Sequence, residues 1–436
     1  MKDFKLKMTL AGAKTVYKMI KLSGAGEGTS FVGSLVLKHN PKFLKEAAKF
    51  VTKQKLSVTG TNGKTTTSGI IYHILEENGR KVIANRKGAN MLTGIANAFA
   101  LTLNTNKTYE HCVLECDEAY LATIQTQFPC DYLLVTNLFR DQLDRYGELD
   151  ITKRKIQEGI NANPELQLVL NADDPLVASL TSAKTPIYYG IRNVEDRSNR
   201  EKSSAPEENF KCPCGLELEY SRKFYAQQGH YHCKCGYIRP QPDFEADVIL
   251  EKDFSIIKLG EEEYKIPLVG LFNAYNALAA IAILKSIGAD NIAKNLLTFK
   301  TTFGRSEVRN VKGHKTIIQL IKNPAGANEV LRSVNLDSNI LIAINDNYAD
   351  GRDVSWLWDA DFENLADITK QIVVSGIRAE DMAVRLKYAG IPSEKICVVK
   401  DLKSAIDYTI SIADNDITIL PTYTALLALN KLWKKF

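Results

Sequence analysis

Short apolar runs alternate with stretches of three-to-four-residue apolar periodicity between residues of about 40 and 200 in this 436-residue chain. Leu56 to Val58 reads as a strand, and Ile70, Ile71, Ile74 and Leu75 beyond it share one face of a helix. Cys112 to Leu114 and Leu168 to Leu170 repeat the strand signal. That rhythm predicts an α/β fold, a parallel sheet with flanking helices. The polar stretch Asn193 to Asn209 breaks it, and strands resume after Pro240 at Ile256-Ile257 and Ile266 to Val269, ahead of a helix around Ala277 to Leu284. Past Gly304, five short apolar runs (Thr316 to Ile318, Asn339 to Ile344, Gln371 to Val374, Ile396 to Val399 and Asp416 to Leu420) are separated by helical stretches. They predict a smaller Rossmann-like domain. The expected organisation is an N-terminal segment 1–39, a central α/β domain 40–303 with an insertion at about 205–240, and a C-terminal domain 304–436.

With 45% apolar and 25% charged residues, the chain has the composition of two or three ordinary globular domains. No apolar run approaches the ~20 residues of a membrane span, so none is expected. A net charge of +5 is mild and does not imply a nucleic-acid partner. The first 21 residues are more basic: Lys2, Lys5, Lys7, Lys14, Lys18 and Lys21 face one acid, Asp3, with Met8, Leu10, Val16, Tyr17, Met19 and Ile20 interleaved. A helix of this kind either packs by one face and is otherwise solvated, the simpler reading, or lies on an anionic membrane surface.

The strand and helix at the start of the central domain enclose Gly60-Thr61-Asn62-Gly63-Lys64-Thr65-Thr66. The glycines let the backbone curl so that several N–H groups face one anion, and the helix start near Lys64 adds its positive dipole end. Lys64 suits the β and γ oxygens of a nucleoside triphosphate, and the Thr65 hydroxyl suits Mg²⁺. Only two residues separate the glycines, where the usual phosphate loop has four. A chance glycine turn is the bland alternative, but it would have to coincide with both a lysine and a hydroxyl at a strand–helix junction.

A second signature is independent of the first. Cys212-Pro213-Cys214-Gly215 and Cys233-Lys234-Cys235-Gly236 form two knuckles 18 residues apart. Four thiolates in two such pairs fit a closed, tetrahedral, structural Zn²⁺ site, an inserted four-cysteine zinc ribbon. Disulfides are the alternative. The chain shows no secretory signal and its nucleotide loop points to the cytosol, where thiols stay reduced. His230 and His232 flank the second pair as alternative ligands, while Cys112, Cys116, Cys130 and Cys397 read as buried small hydrophobes.

The shortened loop is similar to that of the Mur ligase and folylpolyglutamate synthetase superfamily, whose members phosphorylate a carboxylate with ATP and let an amine attack the acyl phosphate. Glu115-Cys116-Asp117-Glu118, Val135-Thr136-Asn137 with Asp141 to Gly147, Asn171-Ala172-Asp173-Asp174-Pro175, Gly270 to Ala280 and Gly304-Arg305-Ser306-Glu307 resemble its other signatures, in the same order. The resemblance implies a Mur ligase-type ATP-binding domain in which Glu115 is a second Mg²⁺ ligand. It also implies that Asn171 and Asp173 shape the nucleotide pocket, Asn273 and Asn276 approach the adenine side, and Arg305 approaches the phosphates. Read without it, Asp173 to Pro175 is a turn, the two asparagines seat a helix and Arg305 makes a surface ion pair.

Two departures narrow the family. Gln142 stands where amino-acid-adding ligases carry a metal-binding His, and Lys322-Asn323-Pro324-Ala325-Gly326 lacks the Asp and His of their C-terminal motif. Together with the four-cysteine insertion and the loop Asn345 to Asp359, these resemble the synthetase subunits of lipid II isoglutaminyl synthases. Only about 55 residues precede the phosphate loop, too few for the uridine-nucleotide-binding domain of full-length Mur ligases.

That resemblance implies a cytoplasmic protein, peripheral at the inner membrane face, that amidates lipid II in peptidoglycan synthesis. Its ammonia would come from a GatD-like glutaminase partner in a heterodimer. Asp353 would complete the partner's Cys-His pair, with Asp346 and Asp350 as substitutes, and Lys64 and Glu115 would serve the phosphoryl transfer. A lysine carbamylated in some relatives would fall near Lys153 or Lys155. A self-sufficient amino-acid ligase, or a nucleotide-dependent scaffold using the ribbon as a contact surface, remain the alternatives.

Overall fold

The computed structural model describes residues 2–22, 30–85, 89–139, 148–197, 210–300 and 305–433. They divide into two compact units: one holds the described residues as far as Phe299 except Phe139, and the other holds Phe139 and the described residues from Lys300 onward.

The strands of the first unit are β1 (Lys55–Thr59), β2 (Val82–Ala84), β3 (His111–Glu115), β4 (Tyr132–Val135), β5 (Gln167–Asn171), β6 (Ile187–Asp196), β7 (Glu219–Tyr225), β8 (Gln228–His232), β9 (Phe244–Leu250), β10 (Ser255–Leu259) and β11 (Glu262–Ile266). Among the described residues, nine form one sheet in the order β11-β10-β9-β6-β5-β4-β1-β3-β2. The seven from β2 to β9 are parallel, and β10 and β11 extend the β9 edge antiparallel. Every residue of β3 is buried, because helices cover both faces of the sheet, and its apolar centre Cys112 to Leu114 is a continuous run instead of an alternating one.

One face packs against the helices Lys64–Glu77 and Leu271–Ser286. The latter is buried from Asn273 to Leu284, so it lacks an amphipathic stripe. The other face packs against Leu92–Thr102 and the N-terminal helices Lys2–Leu22 and Phe31–His39, whose Leu6, Leu10, Ala13, Val32 and Val36 join its core. The basic N-terminal segment is therefore packed by one face into the first unit. The cysteine knuckles and the hairpin β7–β8 lie between β6 and β9 in sequence.

The second unit holds β12 (Arg305–Val311), β13 (His314–Gln319), β14 (Asn339–Ala343), β15 (Ile372–Ser375), β16 (Ile396–Val398) and β17 (Ile417–Pro421), ordered β12-β13-β17-β14-β15-β16. Five of these match the five apolar runs and are parallel. The sixth, β12, is an antiparallel edge strand.

Candidate functional site

The loop after β1 turns at Gly60 (φ 122°) and Gly63 (φ 86°), both in backbone regions that side chains disfavour. A Cβ on Gly63 would stand 2.0 Å from Asn276 Oδ1, and one on Gly60 would stand 2.3 Å from Thr136 Oγ1. Neighbouring elements therefore close on the loop itself. From the end of β4, Thr136 Oγ1 donates to Asn62 O (2.7 Å), while Asn137 Oδ1 accepts from Asn62 N (2.9 Å) and its Nδ2 donates to Asn62 O (3.1 Å). Thr61 N donates to Asn137 O at 2.9 Å. This clamp fixes the loop before any anion arrives. Asn276, expected toward the adenine, lies at the phosphate loop, where Thr67 Oγ1 also reaches its carbonyl oxygen. Asn273 Nδ2 donates to Val269 O (2.9 Å) and seats the helix start.

Lys64 opens the helix Lys64–Glu77 and folds back over the loop, donating to Gly60 O and pairing with Glu118 Oε1 at 2.7 Å. Glu115 closes β3 opposite Val58, which puts its buried carboxylate beside the loop strand. Half-buried Thr65 and buried Glu115 carry the hard oxygen donors that Mg²⁺ prefers, so the residues present fit that ion. Asp117 caps the turn that carries Glu118 by accepting from Ala119 N (3.0 Å), and burial, then the Glu118 charge, raises its carboxyl pKa.

The turn after β5 forms the next wall. Asn171 Nδ2 donates to Thr136 O (3.2 Å), tying β5 to the loop clamp. Asp173 is fully buried and accepts from Arg239 Nε (2.6 Å), Ile191 N (2.7 Å) and Tyr275 OH (2.8 Å). Burial pushes its carboxyl up, and the Arg239 guanidinium opposes that shift without cancelling it. Asp174 accepts from Leu138 N, Leu176 N, Val177 N and Gln227 Nε2, yet burial still raises it to about 6. The ribbon segment supplies many of these partners. Gln227 and Arg239 donate to Asp174 and Asp173, Gly229 N to Asp173 O (3.0 Å) and Tyr237 OH to Pro175 O (2.5 Å).

The four cysteines converge. Their sulfurs all lie within 4.8 Å of one another, with Cys212 to Cys235 at 3.5 Å and Cys214 to Cys233 at 3.6 Å. A tetrahedron with ~2.3 Å metal–sulfur bonds has edges of about 3.8 Å, so the cluster fits zinc and no pair is at disulfide distance. Each knuckle is closed alike: Gly215 N and Gly236 N donate to Cys212 O and Cys233 O, while Cys212 N and Cys233 N donate to Leu216 O and Tyr237 O. The Tyr237 amide pulls the Cys235 thiol down to about 7. His230 is held by Ile191 O (2.7 Å) and His232 by Glu219 (3.3 Å), so neither belongs to the cluster. Cys112, Cys116 and Cys130 are buried among apolar side chains, and Cys397 is half-buried.

In the second unit the three loop acids differ. Asp350 accepts from Thr424 N (2.7 Å), Thr424 Oγ1 (2.5 Å) and Asn347 N (3.1 Å), and so anchors the helix Tyr423–Trp433. Asp346 lies 3.8 Å from Arg378. Asp353 is half-buried and accepts from Ser355 N (2.8 Å) through Oδ1, as a turn cap does. Asn323 caps the helix Pro324–Ser333 by accepting from Gly326 N (2.8 Å). Gln142, the segment Asp141 to Gly147, Gly304 and the side chain of Arg305 lie outside the described residues.

Sequence reasoning did not single out Glu118, Thr136, Asn137 or Arg239 as site residues. The first three stood inside quoted signatures. The only cue for Arg239 was its closeness to the second knuckle.

The Mur ligase middle domain family matches residues 58–284, and the MurT ligase C-terminal family matches residues 320–426. The chain is 37% identical to the lipid II isoglutaminyl synthase (glutamine-hydrolyzing) subunit MurT of Staphylococcus aureus, over 92% of this chain and 91% of that protein. It is also 37% identical to the subunit of that name from Streptococcus pneumoniae, over 94% and 93%. In fold it is similar to a pseudomurein peptide ligase type C from Methanothermus fervidus (TM-score 0.69, 24% identity, 92% and 84% covered). Similarity that runs through the phosphate loop, the ribbon and the C-terminal unit makes this chain a member of the MurT family of Mur ligases.

Proposed function

We propose that the chain is the synthetase subunit of a lipid II isoglutaminyl synthase, converting the D-glutamate α-carboxylate of the stem peptide to D-isoglutamine. The observation that carries this reading is identity of 37% to MurT subunits over more than nine-tenths of the chain. The clamped phosphate loop agrees with it.

A carboxylate oxygen takes the γ-phosphoryl group of ATP, giving an acyl phosphate and ADP. Ammonia attacks the acyl carbon, inorganic phosphate leaves, and the amide remains. Lys64 offsets charge on the β and γ oxygens, and the loop N–H groups orient them. Thr65 and Glu115 would hold Mg²⁺, which supplies electrophilic stabilisation of the transferring group. Asn171, Asp173, Asn273, Asn276 and Arg305 would complete the nucleotide site, and Cys212, Cys214, Cys233 and Cys235 would hold Zn²⁺.

Ammonia would come from a GatD-like glutaminase in a heterodimer. Asp353 would orient that partner's imidazole, as the third member of a triad does. Asp353 is favoured over Asp350, whose two oxygens serve its own unit. The lipid-linked substrate places the work at a membrane face.

The test supplies the purified chain with ATP, Mg²⁺ and lipid II, adding ammonium or glutamine, with and without the glutaminase, and follows substrate mass. Exchange of hydroxyl for amide with ammonium alone, and with glutamine only beside the partner, is the expected result. Addition of an amino-acid mass without a partner would identify a self-sufficient ligase instead.

A further inference from the structure

We infer that the outer face of the N-terminal helix Lys2–Leu22 is a docking surface for an anionic phospholipid bilayer. This deepens the reading above, on which the substrate is lipid-linked, but it rests on a separate observation.

A helix packed by one face ordinarily turns a polar face to water. Here Leu6, Thr9, Leu10 and Ala13 are buried, and Val16, Tyr17 and Ile20 continue that side against the core. The opposite side carries Met8, Ala11, Thr15, Met19 and Leu22, spaced by three or four residues and therefore on a single stripe. Met8 and Met19 are more than half exposed and Leu22 is 88% exposed. Thr15 Oγ1 donates back to Ala11 O (3.0 Å), which satisfies its hydroxyl within the helix and lessens the stripe's polarity.

Charge selects the occupant. Lys5, Lys7, Lys18 and Lys21 are exposed around the stripe, whereas Lys14 is tied to Leu103 O (3.0 Å), and the segment's one acid is Asp3. A protein partner matched to this stripe would need an acidic rim around an apolar strip, and a nucleic acid would leave the methionines and leucine uncovered. An anionic bilayer offers both halves: headgroup charge for the lysines and an acyl boundary for Met8, Met19 and Leu22. No helix of the described residues is long and apolar enough to cross a membrane, so this one lies along the surface. The neighbouring helix Phe31–His39 also exposes Phe31 and Leu35.

The test is co-sedimentation of the full chain with phosphatidylglycerol–phosphatidylcholine vesicles and with pure phosphatidylcholine vesicles, without ATP or lipid II. Salt-sensitive binding to the anionic vesicles alone is expected. Lys7→Gln with Lys18→Gln should weaken it roughly 25-fold, about fivefold per charge. Met8→Ser, Met19→Ser and Leu22→Ser together should weaken it at least tenfold with the lysines intact. All these positions face away from the core, and an unchanged melting temperature checks folding. Amidation of a short-tailed, water-soluble lipid II analogue should be the same in every variant, so failure of the catalytic reading would show separately. Absence of anionic-vesicle binding at low salt would overturn the inference. So would triple-Ser binding equal to wild type, which would mark a general polyanion site.

Discussion

Lys64 Nζ lies 2.7 Å from Glu118 Oε1, with the two side chains only 12% and 16% exposed. A carboxylate thus occupies the ammonium that, on the function proposed above, would meet a nucleotide's phosphates, and arriving phosphate oxygens would have to displace it. Glu118→Gln removes the competing charge while keeping an oxygen acceptor, so it should tighten nucleotide binding by roughly fivefold or more. Calorimetry with a non-hydrolysable ATP analogue reads this directly, and Lys64→Ala should lose binding and turnover. Weaker binding in Glu118→Gln would instead mean that Glu118 serves the bound state.

Asp350 and Asp353 should separate cleanly. Asp350→Ala removes an acceptor for the Thr424 amide and hydroxyl and should cost about 1–2 kcal/mol of stability, as loss of a helix cap does. Asp353→Asn keeps an acceptor for Ser355 N, so melting temperature and ammonium-driven amidation should stay near wild type while glutamine-driven amidation with the partner collapses. Full glutamine-supported activity in that variant would remove Asp353 from the partner's triad.

Asp174 sets a pH dependence. Burial raises it from 3.8 to about 6, so the folded chain still holds a proton that the unfolded chain has released between about pH 4 and pH 6. Stability should therefore fall as pH rises through that window and level off above it, by about 3 kcal/mol in all. Asp174→Asn cannot ionise, and its urea-unfolding free energy should show a shallower decline over the same range, whatever its absolute stability.

Metal removal should be felt at the nucleotide. Elemental analysis should find one zinc per chain, and a chelator or Cys214→Ser should lower the melting temperature. Because Gln227, Gly229, Tyr237 and Arg239 brace the turn Asp173 to Pro175, ATP affinity should fall several-fold as well. Unchanged affinity in the metal-free chain would mean that the ribbon stays docked through its hydrogen bonds alone.

Features written in contiguous residues were legible in the sequence. The phosphate loop needs its turn, lysine and hydroxyl side by side, and the thiol cluster needs two short pairs. The five parallel strands of the second unit announce themselves as apolar runs, and three of them, β14, β15 and β17, are buried throughout. The edge strand Arg305–Val311 carries Arg305, Glu307, Arg309 and Asn310, so it shows no such run. The clamp of Asn62 by Thr136 and Asn137 spans some 75 positions, and the seat of Gly63 against Asn276 spans over 200, beyond any local pattern. Nor does sequence say which of Glu115, Asp117 and Glu118 meets Lys64. That follows from the short turn beginning at Asp117, which swings Glu118 back across the loop.

β6 and β9 are parallel neighbours, so the chain leaving one must travel back along the sheet before entering the other. In most βαβ units a helix makes that return journey. Here the return path is the stretch that bears the cysteines and the hairpin β7–β8. The ribbon is thus built into the crossover itself: the segment that gathers the four cysteines is also the one that carries the chain from one central strand to its neighbour. Loosening the cysteine knuckles would therefore slacken a tether between two neighbouring strands of the main sheet, and not merely a surface appendage.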